Sequence, residues 1–288
     1  MPTAIRPRRS VLYMPGSNAR ALEKARALAA DTLILDLEDA VAPDAKELAR
    51  RQVAEAVKAK GFGKREVIVR INALSTAWGA EDLAAAAEAK PDAILVPKVS
   101  RANDLAEVER RLGSVQVALW AMVETPLAIL KLDEIASAGG RLACFVMGTN
   151  DLVKEFRGLH TQDRVNLAGV LGLAVAAARA YGLAAIDGVY NDIQNSDGFY
   201  ECCKQGRAFG FDGKTLIHPS QVEPCNEVFA PSMEEVEAAR KIIAAFDKPE
   251  NKGKGAIALD GRMVERLHAE IAHNTVALAD AIAALQAN

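Results

Sequence analysis

Strand-length apolar runs, separated by stretches with helical spacing, constrain this chain more than any other feature. They fall at Ser10–Met14, Thr32–Leu37, Val67–Ile71, Ala93–Val96, Val117–Val123, Leu142–Met147, Ala184–Val189 and Thr215–Ile217. Several are nearly continuous hydrophobics, as expected of parallel strands covered on both faces. Between them, Ala19–Ala30, Pro43–Lys60, Leu105–Leu112 and Asn166–Tyr181 carry the Ala/Leu/Glu/Lys/Arg mixture of amphipathic helices. Strands alternating with helices eight times over about 220 residues predict a (β/α)8 TIM barrel. An open doubly wound sheet would show a glycine-rich phosphate loop after its first strand. Pro15-Gly16-Ser17-Asn18 matches neither GxGxxG nor a P-loop.

The barrel is expected to occupy residues 1–230. From Pro231 the character changes: Ser232 caps a helix with Glu235 three residues on, running to about Asp247. A polar hinge (Lys248–Gly255), the short run Ala256–Leu259 and a helix from about Met263 to Ala284 follow. Residues 231–288 therefore read as a C-terminal helical cap or arm, the form taken by lids and subunit-exchange elements.

Composition narrows the function. The 288 residues carry a net charge of -3, with half of them hydrophobic and a quarter charged, so no global field favours nucleic acid or an anionic membrane. The longest nearly uncharged apolar run, Leu167 to Ala178, falls well short of the roughly 20 residues that span a bilayer. After the basic start, Val11 to Met14 is too short for a signal peptide. Cys144, Cys202, Cys203 and Cys225 lack CxxC spacing and histidine partners, which supports neither zinc nor disulfides. A soluble, cytoplasmic protein is expected.

Active sites of TIM barrels lie at the C-terminal ends of the strands. Here those ends read Tyr13-Met-Pro-Gly-Ser-Asn, Asp36-Leu-Glu38-Asp39, Arg70-Ile-Asn72, Pro97-Lys98, Glu124-Thr-Pro126, Gly148-Thr-Asn150-Asp151, Asp187-Gly188 and His218-Pro219. Polar groups at every end argue for a site rather than for scattered caps. Glu124 and Asp151 follow strongly apolar strands and are candidates for a Mg2+ pair completed by substrate and water. A helix cap for Asp151, or a buried salt bridge, is the alternative. Asp36, Glu38 and Asp39 form a second acidic cluster, suited equally to holding Arg70 or Lys98 and to touching metal. Arg70, between Val69 and Ile71, is costly to bury without an anion. It is suited to a substrate carboxylate or enolate, or to a structural pair with the acids. His218 is either a substrate contact or a hydrogen-bonded wall residue.

These motifs, with Leu35-Asp-Leu-Glu-Asp-Ala-Val41, Val69-Arg-Ile-Asn72, Val96-Pro-Lys98, Ile217-His-Pro219 and Asp260-Gly-Arg-Met-Val-Glu265, span nearly the whole chain. In this order they resemble the HpcH/HpaI aldolase and citrate lyase β-subunit superfamily, in its citrate-lyase-β-like and malyl-CoA lyase branch. The resemblance implies Glu124 and Asp151 as Mg2+ ligands, with Mn2+ as a substitute. It implies Arg70 as the group steadying a thioester enolate, and Tyr13 and Lys24 as coenzyme A contacts. Asn150, Ile217 and His218 would line the substrate site, with Asp36, Glu38 and Asp39 behind Arg70. Relatives commonly carry arginine where this chain has Asn18, and Arg20 or the Arg6/Arg8/Arg9 cluster is the candidate replacement. Relatives also end the C-terminal motif in aspartate, an acid/base delivered across a subunit boundary. Glu265 keeps that carboxylate one methylene further out.

The resemblance implies a Mg2+-dependent carbon–carbon lyase. It would cleave a malyl-, methylmalyl-, citramalyl- or citryl-CoA into an acyl-CoA and a 2-oxoacid, working as a homotrimer or trimer-based hexamer. Three alternatives stay open: a malyl-CoA thioesterase on the same scaffold, a coenzyme-A-independent pyruvate-type aldolase, and a subunit of a citrate lyase complex.

Overall fold

The computed structural model describes residues 5–287. Eight parallel strands close in chain order into a barrel. They are β1 (Ser10–Pro15), β2 (Thr32–Asp36), β3 (Glu66–Arg70), β4 (Ala93–Val96), β5 (Ala118–Val123), β6 (Leu142–Met147), β7 (Ala184–Asp187) and β8 (Gly213–Leu216), and β1 pairs with β8 to complete the ring. The chain is a TIM barrel.

Side chains alternate across each strand, so one residue in two faces the barrel interior. Val11, Ile34, Ile68, Leu95, Trp120, Met122, Val146 and Ile186 belong to one buried cluster, the interior. Leu12, Leu33, Leu35, Val69 and Leu216 belong to the larger cluster between strands and helices. The N-terminal end of the barrel is closed by Arg8, whose guanidinium lies 5.1 Å from the Trp120 ring centre and pairs with Glu66 at 2.6 Å. Arg9 pairs with Asp31 at 2.8 Å at the same end. Arg8 and Arg9 are thus not replacements for a phosphate contact at the mouth: each is committed to a carboxylate at the opposite end of the strands.

The described residues divide into two compact units, one of Arg8–Phe229 and one formed by residues 230–287 with residues 5–7. In the smaller unit, Ser232 caps the helix Met233–Phe246 by accepting from the Glu235 N–H. The sequence places the last helix from Met263, and the structure differs. Arg262–Glu265 (β10) pairs antiparallel with Ala256–Leu259 (β9), and the helix runs Arg266–Gln286. The cause is Asp260-Gly261, both with positive φ (50° and 76°), the backbone that a tight two-residue hairpin turn requires. Glu265 ends β10 and is the N-cap of the last helix, its N–H donating to His268 Nδ1 at 2.9 Å.

Candidate active site

Strand register builds the site. Asp36 at the end of β2 is the direct partner of Arg70 at the end of β3, and each lies two residues beyond an interior residue, Ile34 and Ile68. Both side chains therefore face inward at the mouth. Arg70 Nε and Nη2 donate to the two Asp36 oxygens at 2.6 Å each, while Nη1 lies 3.0 Å from Glu38 and 3.5 Å from Asp39. The guanidinium also stacks 4.7 Å from the Tyr13 ring centre. Such bidentate, charge-assisted contacts fix direction as well as position. Burial alone would raise the Asp36 carboxyl, but the Arg70 charge, its hydrogen bonds and the N–H groups of Glu38 and Ala40 together outweigh it and hold the acid below its usual range. Glu38 differs: burial dominates, Arg70 offsets it only in part, and its pKa is pushed up to about 8. Burial likewise pushes the Tyr13 phenol up.

The loop carrying Glu38 is held from beneath by a residue that the sequence did not flag. Buried Lys46 donates to the carbonyls of Leu37 and Glu38 and to Asn72 Oδ1, each at 2.8 Å. Asn72 Nδ2 in turn donates to Leu37 O and Asp82 Oδ2. Asn72 is a buried fastener between the β2 and β3 loops.

The acids expected to hold metal stand beside this group. Glu124 follows β5 in phase with interior Trp120 and Met122, and it is wholly buried. Asp151 lies in the first turn of the helix Thr149–Glu155 and is partly exposed. Lys98 connects them: its N–H donates to Glu124 Oε1 at 2.7 Å, and its Nζ lies 3.4 Å from that oxygen and 2.9 Å from Asp151 Oδ2. Two carboxylates therefore reach one cation. Burial raises the Glu124 carboxyl above its ordinary value, and the Lys98 charge offsets this only in part.

Three observations bear on whether Mg2+ fits. Glu124 Oε2 is buried without a hydrogen-bond partner. Gly148 lies against it, and a Cβ there would come within 2.6 Å of that oxygen. The donors are oxygens, which suit a hard cation. Among the described residues no cluster of three or more His, Cys, Asp or Glu forms a protein-only cage. The pair fits the Mg2+ habit of one or two carboxylates completed by substrate and water.

Arg70, Tyr13, Glu124, Asp151, Asn150 and Ile217 line one cavity of about 300 Å3 with Asp36 and Asp39. Glu38 is not on its wall. Asn150 makes a reciprocal amide pair with Asn191 (2.8 and 3.1 Å), and both amides also line a second cavity of about 320 Å3. Asn191 carries no sequence signal beyond a loop position. His218 caps the turn Pro219–Gln221, its Nδ1 accepting from the Ser220 N–H at 3.2 Å, and it is not among the residues around the mouth cavity. Lys24 is exposed on the helix Ala19–Ala25, also off the cavity wall. Glu265 belongs to the other compact unit. Asp187, expected at the mouth, is instead enclosed by Lys214 and Arg164, each 2.8 Å away.

A closed parallel barrel whose mouth gathers two cation-sharing carboxylates and a carboxylate-locked arginine has the form of a TIM-barrel enzyme. The model of the HpcH/HpaI aldolase/citrate lyase family matches residues 9–219, and that of a carbon–carbon bond lyase of the TIM-barrel fold matches residues 159–283. The chain belongs to the HpcH/HpaI aldolase/citrate lyase family and is an enzyme of its citrate lyase β type. It is 52% identical over 282 residues to a (3S)-malyl-CoA thioesterase of Cereibacter sphaeroides, covering 98% of each chain. It is 35% identical over 269 residues to the citrate lyase subunit beta of Escherichia coli, covering 90% of this chain and 89% of that one. Among solved structures, CitE of Mycobacterium tuberculosis in complex with magnesium, acetoacetate and coenzyme A matches with a TM-score of 0.78. That match has 30% identity and covers 96% of this chain and 99% of the other.

Proposed function

We propose that this enzyme acts on a malyl-CoA-class thioester in a Mg2+-dependent reaction, and that its net outcome is hydrolysis to the free hydroxy acid and coenzyme A. The observation that carries this reading is the single cavity in which Glu124 and Asp151 share one cation while Arg70 stands locked on the wall. The 52% identity over 98% of the chain to a (3S)-malyl-CoA thioesterase supports hydrolysis as the outcome.

Glu124 and Asp151 would hold Mg2+, with Mn2+ as its substitute. Bound there, the ion supplies Lewis-acid polarisation and orients the hydroxyl and carboxylate of the acid half. Arg70 serves the thioester. Asp36 engages one proton each of Nε and Nη2, which leaves a second Nη2 proton for the thioester oxygen as negative charge develops on it. Because Asp36, Glu38 and the Tyr13 ring fix the guanidinium beforehand, little reorganisation is needed when that charge appears. Tyr13 and Ile217 give the wall its apolar surface, and Asn150 offers an amide to the acid half. Lys24, on the exposed face after β1, is proposed for a coenzyme A phosphate, and His218 for the rim.

Water attacks the thioester carbon, the C–S bond breaks, and the thiolate leaves to be protonated. The proton acceptor is proposed to be Glu265, from the C-terminal unit of a neighbouring copy in a homotrimer or hexamer. A second reading, carbon–carbon cleavage to an acyl-CoA and a 2-oxoacid, is favoured by the 35% identity to a citrate lyase subunit beta. Arg70 then steadies an enolate and Glu265 protonates its carbon.

One assay separates the two. Purified protein is given (3S)-malyl-CoA with Mg2+ or EDTA, and free thiol, malate and glyoxylate are followed together. Metal-dependent thiol and malate in equal amounts, without glyoxylate, is the expected result. Glyoxylate with acetyl-CoA would establish the second reading, and no turnover in Mg2+ would overturn both. Glu265→Ala is expected to abolish turnover by either route.

A further inference from the structure

Lys98 is the least explained charge at the mouth. Its backbone sits in the left-handed region (φ 54°), which is unfavourable for a residue with a side chain and persists only where the surroundings require it. What that conformation provides is a double contact with the acid pair. The N–H reaches Glu124 Oε1 at 2.7 Å, and the ammonium lies 2.9 Å from Asp151 Oδ2 and 3.4 Å from Glu124 Oε1. The two contacts differ in kind. The N–H is fixed by the backbone and leaves Oε2 of Glu124 free. The ammonium stands on a flexible stem with a side chain 38% exposed, and it can leave.

Without a cation, Glu124 would be a wholly buried carboxylate beside Asp151, an arrangement that like-charge repulsion and desolvation both oppose. We infer that the Lys98 ammonium is a resident counter-ion, which holds Glu124 and Asp151 in register before metal arrives and competes with the divalent ion for them. This rests on the proposed reading of those two acids as the metal pair, and goes beyond it by assigning a residue that weakens metal binding in exchange for a preformed site. On this view the metal must displace the ammonium while the backbone N–H stays to orient Glu124.

The test measures metal binding, not turnover. Mg2+ is titrated calorimetrically into metal-free wild type, Lys98→Met and Lys98→Arg, with Mn2+ paramagnetic binding as a second probe. Lys98→Met is expected to bind Mg2+ about fivefold more tightly than wild type, the ratio set by losing a partly exposed ion pair. It should also melt at a lower temperature without metal and gain more from Mg2+. Lys98→Arg, which keeps the competing charge, should stay within about twofold of wild type, a ratio worth under half a kcal/mol. Should Lys98→Met fail to fold, Lys98→Gln makes the same comparison. Equal or weaker Mg2+ binding by the folded neutral variant, with wild type binding normally, would overturn the counter-ion role alone. Absence of binding in every protein would overturn the metal pair and the counter-ion together.

Discussion

Two buried ion pairs each join adjacent strands of this barrel, and they do different work. Asp36 faces Arg70 across β2 and β3, and Asp187 faces Lys214 across β7 and β8, each as direct register partners. In both, an acid that burial alone would raise is held below its ordinary value by the cations beside it. Phase separates them. Asp36 and Arg70 are two residues on from interior Ile34 and Ile68, so they open onto the mouth cavity. Asp187 directly follows interior Ile186, so it faces outward, where Gly206 of the helix Ser196–Phe209 lies against its carboxylate and Arg164 closes over it. The inward pair opens a guanidinium onto the mouth cavity; the outward pair pins a loop and a helix to the barrel. A charged strand end thus faces the mouth cavity or fastens the barrel's outer layer according to one residue of phase.

The contrast can be broken in several ways. Lys214→Met leaves Asp187 with only Arg164 in a fully buried place, which should cost about 3–5 kcal/mol of stability by chemical denaturation. Specific activity per folded molecule should not change. A similar fall in specific activity would place the outward pair in the reaction. Gly148→Ala sets a methyl against buried Glu124 Oε2, and overpacking of this kind costs about 1–3 kcal/mol. Here the Mg2+ requirement should sharpen, with the metal concentration for half activity rising while a calorimetric melt reports the stability loss.

Acid titration gives a smaller effect with a definite sign. Asp187 has a folded-state value below that of the unfolded chain, about 3.9, so its stabilisation is complete above that pH. It is lost as pH falls through the folded value. Stability of the wild type should therefore drop below about pH 4, and Asp187→Asn, already less stable at pH 7, should show a shallower drop. The smallest effect belongs to the ring under Arg70. Tyr13→Leu removes the stacking at 4.7 Å and should lower kcat/KM by an amount on the order of 1 kcal/mol, about fivefold, with the Mg2+ requirement unchanged.

Much of the fold was legible because parallel strands buried on both faces must be written as short apolar runs. The same feature hid the phase of β7. Ala184-Ala-Ile-Asp187 is apolar on both faces, so nothing local says that Ile186 points inward and Asp187 outward. The inward acids were easier to find: Asp36 and Glu124 follow strands and open on one cavity wall with Arg70. Lys46 escaped notice, and Lys98, flagged at its strand end as a cation for the Asp36/Glu38/Asp39 cluster, proves to pair with Glu124 and Asp151 instead, for a physical reason. Their partners are carbonyls and acids brought near by the barrel's closure, and the residues flanking Lys98 carry no mark of its positive φ. The Asp260-Gly261 turn, by contrast, was readable, since that dipeptide between apolar runs marks a hairpin. Helical periodicity after Met263 outweighed it.

The most direct test of the inward site places one substitution in each pair. Asp36→Asn and Asp187→Asn are compared on (3S)-malyl-CoA with saturating Mg2+, activity being divided by the folded fraction from a denaturation curve. Asp36→Asn frees the Arg70 guanidinium from its bidentate partner and should lower kcat/KM about 100-fold. Asp187→Asn should lose stability and keep kcat/KM within about twofold, under half a kcal/mol. Equal losses of kcat/KM in the two variants, or an unchanged Asp36→Asn, would contradict the assignment of the reaction to the mouth cavity.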